Sequence, residues 1–225
     1  MRNWEFCFIL VFCSIAEPIL ASHRVALVIG NSQYPGKDVI PAVALDARNV
    51  AKLLEERQFR VTTALDRPRD ELRNLLQTFI DSTPVNGTAL IYFGGHSMTV
   101  KDNQGVFQGL LLTVDGNRKA IVLGELLEQV GTSSAAKSTV ILIDSGQGIP
   151  PGYDERRGPP GLNAFGELPE GVSLNFAMEP NTWAAHPGAM AKRLAESNNP
   201  DLEAWLGEAS TWKLSNCESG SISTS

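Results

Sequence analysis

A short apolar run in the second half of the chain constrains its fold more than any other feature. Residues 140–143 (Val-Ile-Leu-Ile) are β-branched or leucine, and Asp144, Ser145 and Gly146 follow them directly. A run of this kind is typical of a central strand that is covered on both faces of a sheet. A second run, 88–93 (Thr-Ala-Leu-Ile-Tyr-Phe), ends in Gly-Gly-His-Ser. Because open α/β sheets place their sites at the carboxyl ends of strands, the sequence predicts a site where these two runs end.

Strand-like and helix-like segments alternate along the chain. The helical pattern is clearest at 69–80, where Leu72, Leu75, Leu76 and Phe79 recur on one face. Strand, helix and strand in this order predict an α/β fold, a mostly parallel sheet with right-handed crossovers and helices on both faces. The predicted strands are 25–30, 58–65, 88–93, 140–143 and 172–178, the predicted helices are 43–57, 69–80, 123–130 and 187–197, and a hairpin-like segment covers 106–112.

The pattern changes after Gly148. Residues 149–171 are rich in proline, glycine and charge, which is typical of a long exposed loop. Beyond Asn198 the periodicity weakens, and Trp205 and Trp212 are the last residues expected to pack. We therefore expect one domain over residues 22–212 with a degenerate carboxyl-terminal part, followed by a disordered Ser-rich tail at 213–225.

The first 21 residues have the layout of a secretory signal peptide. A short polar start with Arg2 precedes an apolar run at 6–16, and Ala21 offers a small residue for cleavage. The run is too short to span a membrane comfortably. The sequence predicts a secreted or periplasmic protein with no membrane attachment after cleavage, and the alternative is a buried amino-terminal strand or helix.

The net charge of the chain bears on the kind of partner it could bind. The formal net charge is −6, and it becomes −5 without residues 1–21, with 18 basic and 23 acidic side chains remaining. This balance argues against nucleic acid as the natural partner.

Cleavage would also remove Cys7 and Cys13 and leave only Cys217, so no intramolecular disulfide is expected. No metal or cofactor is expected either.

Several short motifs occur in a fixed order over about 150 residues. They are the segments 26–31 (Ala-Leu-Val-Ile-Gly-Asn), 45–47 (Leu-Asp-Ala), 92–97 (Tyr-Phe-Gly-Gly-His-Ser), 109–115 (Gly-Leu-Leu-Leu-Thr-Val-Asp), 141–145 (Ile-Leu-Ile-Asp-Ser) and 161–177. A caspase signature places the cysteine nucleophile about 50 residues after a histidine, and 50 residues separate His96 from Gly146. The ordered set resembles the caspase, metacaspase and paracaspase superfamily, especially bacterial caspase-like domains.

The resemblance implies a caspase-like fold and a site at the two strand ends. Family members hydrolyse peptide bonds with a cysteine thiolate that a histidine activates. On that alignment His96 occupies the base position, and Gly95 borders the site that would bind the oxyanion. Gly146 stands where the cysteine should be. A glycine has no side chain to form an acyl-enzyme, and the neighbouring Ser145 and Ser97 leave the backbone in other directions.

Two carboxylates match a further feature of the metacaspase-like members. In those proteins two aspartates help form an acidic pocket for a basic P1 side chain, and Asp46 and Asp144 match these positions. Retention of both would preserve a site for Arg or Lys without cleavage. The alternative is that Asp46 is a solvated helix residue and Asp144 a structural cap.

Three functional interpretations remain open on the sequence. The favoured one is a catalytically inactive caspase-like domain that binds a peptide or protein partner, with exposed Arg or Lys, through the remnant acidic pocket. The second is an active cysteine-type endopeptidase that cleaves after basic residues, for which only Cys217 is left as nucleophile. The third is a truncated gene relic, which the degenerate carboxyl-terminal part suggests.

Overall fold

The computed structural model describes residues 23–35, 39–115, 119–145, 161–162, 167–179 and 188–215. The predicted signal peptide and most of the predicted tail lie outside these ranges and stay predictions. In chain order the elements are β1 (Arg24–Gly30), α1 (Pro41–Glu56), β2 (Arg60–Leu65), α2 (Arg69–Asp81), β3 (Thr88–Gly95), β4 (Ser97–Lys101), β5 (Phe107–Leu112), β6 (Ala120–Val122), α3 (Leu123–Ser133), β7 (Ser138–Ser145), β8 (Val172–Phe176), α4 (Ala189–Glu196), α5 (Leu202–Glu208) and β9 (Trp212–Ser215).

The main sheet has six strands in the order β2-β1-β3-β7-β8-β9. Its first five strands pair in parallel, and β9 pairs antiparallel with β8. The five predicted apolar runs therefore form one mostly parallel sheet, which confirms the predicted fold class. The two central strands, β3 and β7, are the two apolar runs that predicted the site.

Alternate residues of each strand enter two separate cores, one on each face of the sheet. In β1, Ala26 and Val28 pack toward α1, α4 and α5, whereas Val25, Leu27 and Ile29 pack toward α2 and α3. This is the side-chain period of a strand, and it explains why the runs are apolar throughout rather than alternating. Helices thus cover both faces, as predicted.

Helix boundaries follow from local backbone chemistry. Helix α1 begins at Pro41, two residues before the predicted start, because proline suits the first helical turn. It ends at Glu56, and Gln58 adopts φ 67°, a left-handed conformation that stops the helix. The predicted strand at 58–65 consequently begins only at Arg60. Helix α3 continues to Ser133, three residues beyond the predicted end.

A second, smaller sheet follows the first site strand. Strands β4, β5 and β6 form an antiparallel sheet in that order. The predicted hairpin-like segment at 106–112 supplies β5, but the strand directly after His96 was not predicted. Ser97 begins β4 and pairs with Leu111, so His96 lies between the last residue of one sheet and the first residue of the other.

The carboxyl-terminal part contains more regular structure than its weak periodicity indicates. Helix α5 buries Trp205, which is 1% exposed, and its indole N–H donates to the carbonyl of Leu194 at 3.0 Å. Strand β9 adds an outer strand to the sheet and reaches Ser215. The sheet therefore extends three residues into the stretch assigned to the tail.

Candidate functional site

The candidate site lies where β3 and β7 end side by side. Gly95, the last residue of β3, pairs with Ser145, the last residue of β7. His96 follows Gly95 directly and is buried, with 3% of its surface exposed. Because neighbouring strands lie about 4.8 Å apart, the parallel register brings His96 beside the end of β7.

Tyr34 fixes the backbone and the ring of His96. Its phenolic oxygen accepts a hydrogen bond of 2.8 Å from the His96 N–H, and the two ring centroids lie 4.7 Å apart. Burial raises the pKa of the Tyr34 phenol well above its usual value, so the group stays neutral. The carbonyl of His96 accepts a hydrogen bond of 2.9 Å from the N–H of Leu112. His96 is thus held by the loop after β1 and by β5.

Only glycine fits at position 95. Gly95 has φ 149°, and a β-carbon there would lie 2.5 Å from the Tyr34 phenolic oxygen. Such a contact is far below van der Waals distance, so a side chain would push Tyr34 away from His96. The role of Gly95 beside an oxyanion stays a prediction.

Two buried serines connect the ends of the two sheets. The hydroxyls of Ser97 and Ser145 lie 2.6 Å apart in a hydrogen bond, with 1% and 5% of the residues exposed. Together with Ile143, Leu162 and Phe176 they line a small cavity of about 10 Å³, room for about one water molecule.

Asp144 caps helix α4. One carboxylate oxygen, Oδ2, accepts hydrogen bonds of 3.0 Å from the hydroxyl of Tyr92 and from the N–H of Ala191, in the first turn of α4. Residue Gly188 precedes α4 and supplies no side chain for a cap, so a residue from β7 satisfies a free N–H of the helix. Burial raises the pKa of the Asp144 carboxyl, and the hydrogen bonds from Ala191, Met190 and Tyr92 oppose that shift.

Asp46 lies on α1, next to the same turn of α4. A β-carbon at Gly188 would lie 2.2 Å from the Asp46 Oδ2 atom, so the two residues are in close contact. Partial burial raises the pKa of the Asp46 carboxyl, and the negative charge of Asp144 adds to the shift. The structure therefore brings Asp46 and Asp144 together at the amino-terminal turn of α4, where partial positive charge of the helix favours carboxylates.

Three parts of the site were not predicted from the sequence, and two residues that the sequence singled out lie outside the described residues. Tyr34, Tyr92 and the first turn of α4 contact the predicted residues, but none carries a motif that would single it out. Tyr92 belongs to an apolar run, and α4 lies more than 40 residues along the chain from Asp144. Gly146 and Cys217 are not among the described residues, so the position of the missing nucleophile stays a prediction.

The part of the chain that the structure describes contains no group of three or more His, Cys, Asp or Glu side chains placed to hold a metal ion. Within the same residues, no helix is both long and apolar enough to cross a membrane.

A match to a protein-family model shows which family the chain belongs to. The sequence model described as "Caspase domain" matches residues 23–205. This chain belongs to the caspase-domain family. The match begins at the first described residue and extends into α5, so it covers both strand ends of the candidate site.

Known proteins and solved structures agree with that assignment. Human mucosa-associated lymphoid tissue lymphoma translocation protein 1 is 32% identical over 77 residues, which is 34% of this chain and 9% of that protein. Protein GSU0716 from Geobacter sulfurreducens has a similar fold, with a TM-score of 0.64 and 14% identity over 83% of this chain and 88% of that one. The Drosophila initiator caspase Dronc gives a TM-score of 0.58 and 12% identity, over 84% of this chain and 71% of its own. At these identities the two structures support the caspase-domain fold alone.

Proposed function

We propose that this caspase-domain protein hydrolyses no peptide bonds and binds a peptide or protein partner through a basic side chain. The observation that carries the proposal is the residue after β7. Ser145 pairs with Gly95 beside His96, and the next residue in the chain is Gly146, where the family has its cysteine. Without a side chain at that position the covalent route to hydrolysis is absent.

The neighbouring serines give no support to a replacement nucleophile. The hydroxyls of Ser97 and Ser145 are engaged with each other and line a small cavity with room for about one water molecule. An attacking hydroxyl must be in contact with both a base and the substrate. Among the described residues, the small cavity at these two hydroxyls is not large enough for the carbonyl of a peptide substrate.

The acidic pair supports binding of a cation from the partner. Within the described residues, neither Asp46 nor Asp144 forms a salt bridge. Asp144 is 2% exposed and already bonds Tyr92 and Ala191, whereas Asp46 is only partly buried. We therefore assign direct contact with the ligand to Asp46 and the placement of α4 to Asp144. An Arg or Lys side chain would relieve the repulsion between the two carboxylates.

The absence of activity is tested with purified protein and fluorogenic peptides that carry Arg, Lys or Asp at P1. We expect no turnover, and neither calcium nor reducing agent should restore it. Cleavage that persists in a His96→Ala variant indicates a contaminating protease. Cleavage that is abolished by both His96→Ala and Cys217→Ser would refute the proposal and support the active endopeptidase.

Binding is tested separately, with fluorescein-labelled peptides that differ only in one central residue. We expect an Arg peptide to bind more tightly than its citrulline counterpart, which has the same shape without the charge. Asp46→Asn should weaken binding of the Arg peptide by about tenfold, the loss of one charge-assisted hydrogen bond. Glu55→Gln, on the exposed side of the same helix, is the matched control and should leave binding unchanged. Equal affinity for both peptides would refute recognition of a basic side chain and leave the catalytic result untouched.

A further inference from the structure

A second cavity lies at the end of the sheet where β1 begins, opposite the strand ends that carry the candidate site. Arg24, the first residue of β1, and Arg57, at the carboxyl end of α1, contribute to its lining. Its volume is about 560 Å³, which lies within the range of small-molecule sites. The cavity shares no lining residue with the strand ends near His96.

The guanidinium of Arg57 is held in place, but its N–H groups find no acceptor among the described residues. Its Cζ atom lies 4.1 Å from the ring centroid of Trp205, which is buried beneath it. Stacking on an aromatic ring orients the planar group and leaves its edge donors available. Among the described residues, no side-chain hydrogen bond or ion pair of Arg57 occurs. A guanidinium has five N–H donors, so this group is preorganised to bind an acceptor from outside.

The charge of the lining favours an acceptor with a single negative charge. Arg24 also lines the cavity and donates a hydrogen bond of 3.1 Å to the carbonyl of Arg57. One acidic residue of the lining, Glu56, lies 3.9 Å from Lys52 in an exposed ion pair. Two guanidiniums against one carboxylate leave one positive charge. A monoanion neutralises that charge, whereas a dianion would exceed it and would be repelled by the net charge of −6.

Apolar side chains complete the wall of the cavity. Leu53 on α1 and Leu202 on α5 both line it and are partly exposed. Their surface would be removed from water by the apolar part of a ligand. The rest of the lining is mainly polar and includes Ser197 and Asn198, so the two leucines offer a small apolar surface beside the fixed guanidinium.

We propose that this cavity binds a small organic carboxylate. The two carboxylate oxygens accept parallel hydrogen bonds from the Arg57 guanidinium, and the apolar part of the ligand packs against Leu53 and Leu202. The proposal is independent of the proposed function at His96 and Asp46.

The test uses benzoate as the probe and the indole N–H resonance of Trp205 in ¹H–¹⁵N spectra as the readout. That resonance is assigned by its loss in a Trp205→Phe variant. Benzoate should shift it in a saturable manner, benzamide should not, and phenyl phosphate should bind more weakly than benzoate. Arg57→Gln should weaken benzoate binding by about tenfold or more, and Arg57→Lys, which keeps the charge without the planar fork, by less. Arg48→Gln, an exposed arginine on the same helix, is the matched control and should not change the affinity.

Several results would overturn the proposal. Equal shifts with benzamide would show that the carboxylate is not recognised, and this comparison needs no variant that might unfold. Tighter binding of phenyl phosphate would contradict the choice of a monoanion. No saturable shift with benzoate at up to about 20 mM would refute the site.

Discussion

The phenolic oxygen of Tyr34 accepts a hydrogen bond of 2.8 Å from the backbone N–H of His96, and the two rings lie 4.7 Å apart. A residue from the loop after β1 therefore holds His96, the residue predicted to occupy the base position. The same oxygen explains why position 95 must be glycine, because a β-carbon there would lie 2.5 Å from it. This contact joins the loop after β1 to the candidate site.

Loss of this phenol should destabilise the protein. Tyr34→Phe keeps the ring but leaves the buried N–H of His96 without its acceptor, which costs about 1–3 kcal/mol of unfolding free energy. Urea unfolding should show a lower midpoint with an unchanged slope. An unchanged midpoint would contradict the importance of the hydrogen bond.

The contact between Gly188 and Asp46 predicts a difference between two glycines. Gly188→Ala places a β-carbon 2.2 Å from the Asp46 Oδ2 atom and forces a residue with φ 68° to carry a side chain. Gly105→Ala is the matched control, because Gly105 also has positive φ, 84°, but its β-carbon would meet only Lys101 Cε at 3.7 Å. Both variants should lose about 1 kcal/mol from the left-handed backbone. Gly188→Ala should lose clearly more in chemical denaturation, and equal losses would show that α4 shifts away freely.

The raised pKa of Asp46 predicts a dependence of stability on pH. Burial and the charge of Asp144 raise this pKa in the folded protein above the usual value of 3.8. The folded state then binds more protons than the unfolded state, so the contribution of Asp46 is present below pH 3.8 and is lost as the pH rises through the folded pKa. Asp46→Asn should therefore raise the melting temperature at pH 7 relative to wild type and lose this advantage near pH 3. A melting temperature of Asp46→Asn below that of wild type at pH 7 would contradict the predicted sign.

A cysteine at position 146 should be reactive if Gly146 occupies the position of the missing nucleophile. In Gly146→Cys the new thiol would lie near the His96 imidazole, which favours the thiolate. We expect iodoacetamide to label it faster than Cys217 in the same molecule, with rates read by peptide mass spectrometry. Thermal melting accompanies the labelling, so that a loss of folding is told apart from a loss of reactivity. A folded variant whose new thiol reacts no faster than Cys217 would show that the base lies out of reach.

Local sequence was sufficient for the main elements of the fold. The runs at 25–30, 88–93 and 140–143 became three neighbouring parallel strands because they are apolar throughout, and the strand–helix alternation left few topologies open. The sequence pattern was weaker for short elements and at the ends of helices and strands. The strand directly after His96 has mixed polar and apolar residues, and its residues pair with partners in β5 that lie 6 to 14 residues along the chain.

The candidate site likewise contains residues that the sequence predicted and contacts that it did not. His96 and Asp144 were recognised because each ends an apolar run, and the carboxyl ends of parallel strands share one edge of the sheet. The partners of Asp144 were not predictable, because Tyr92 is one apolar residue among several and Ala191 acts through its backbone N–H. A backbone group has no sequence signature, so its role emerges only when the chain has folded.

The amino-acid sequence by itself determined the class of fold, the strands that carry the site and the glycine at position 146. Each of these depends on residues that are close together in the chain or on a fixed spacing. Only the tertiary structure decided that Asp144 caps α4, that Asp46 lies against Gly188 and that Arg57 stacks on Trp205. These contacts join residues between 47 and 148 positions apart, and the packing of α4 and α5 against α1 brings them together. Such long-range contacts depend on the whole core, because the free energy that holds them comes from burial shared among many side chains.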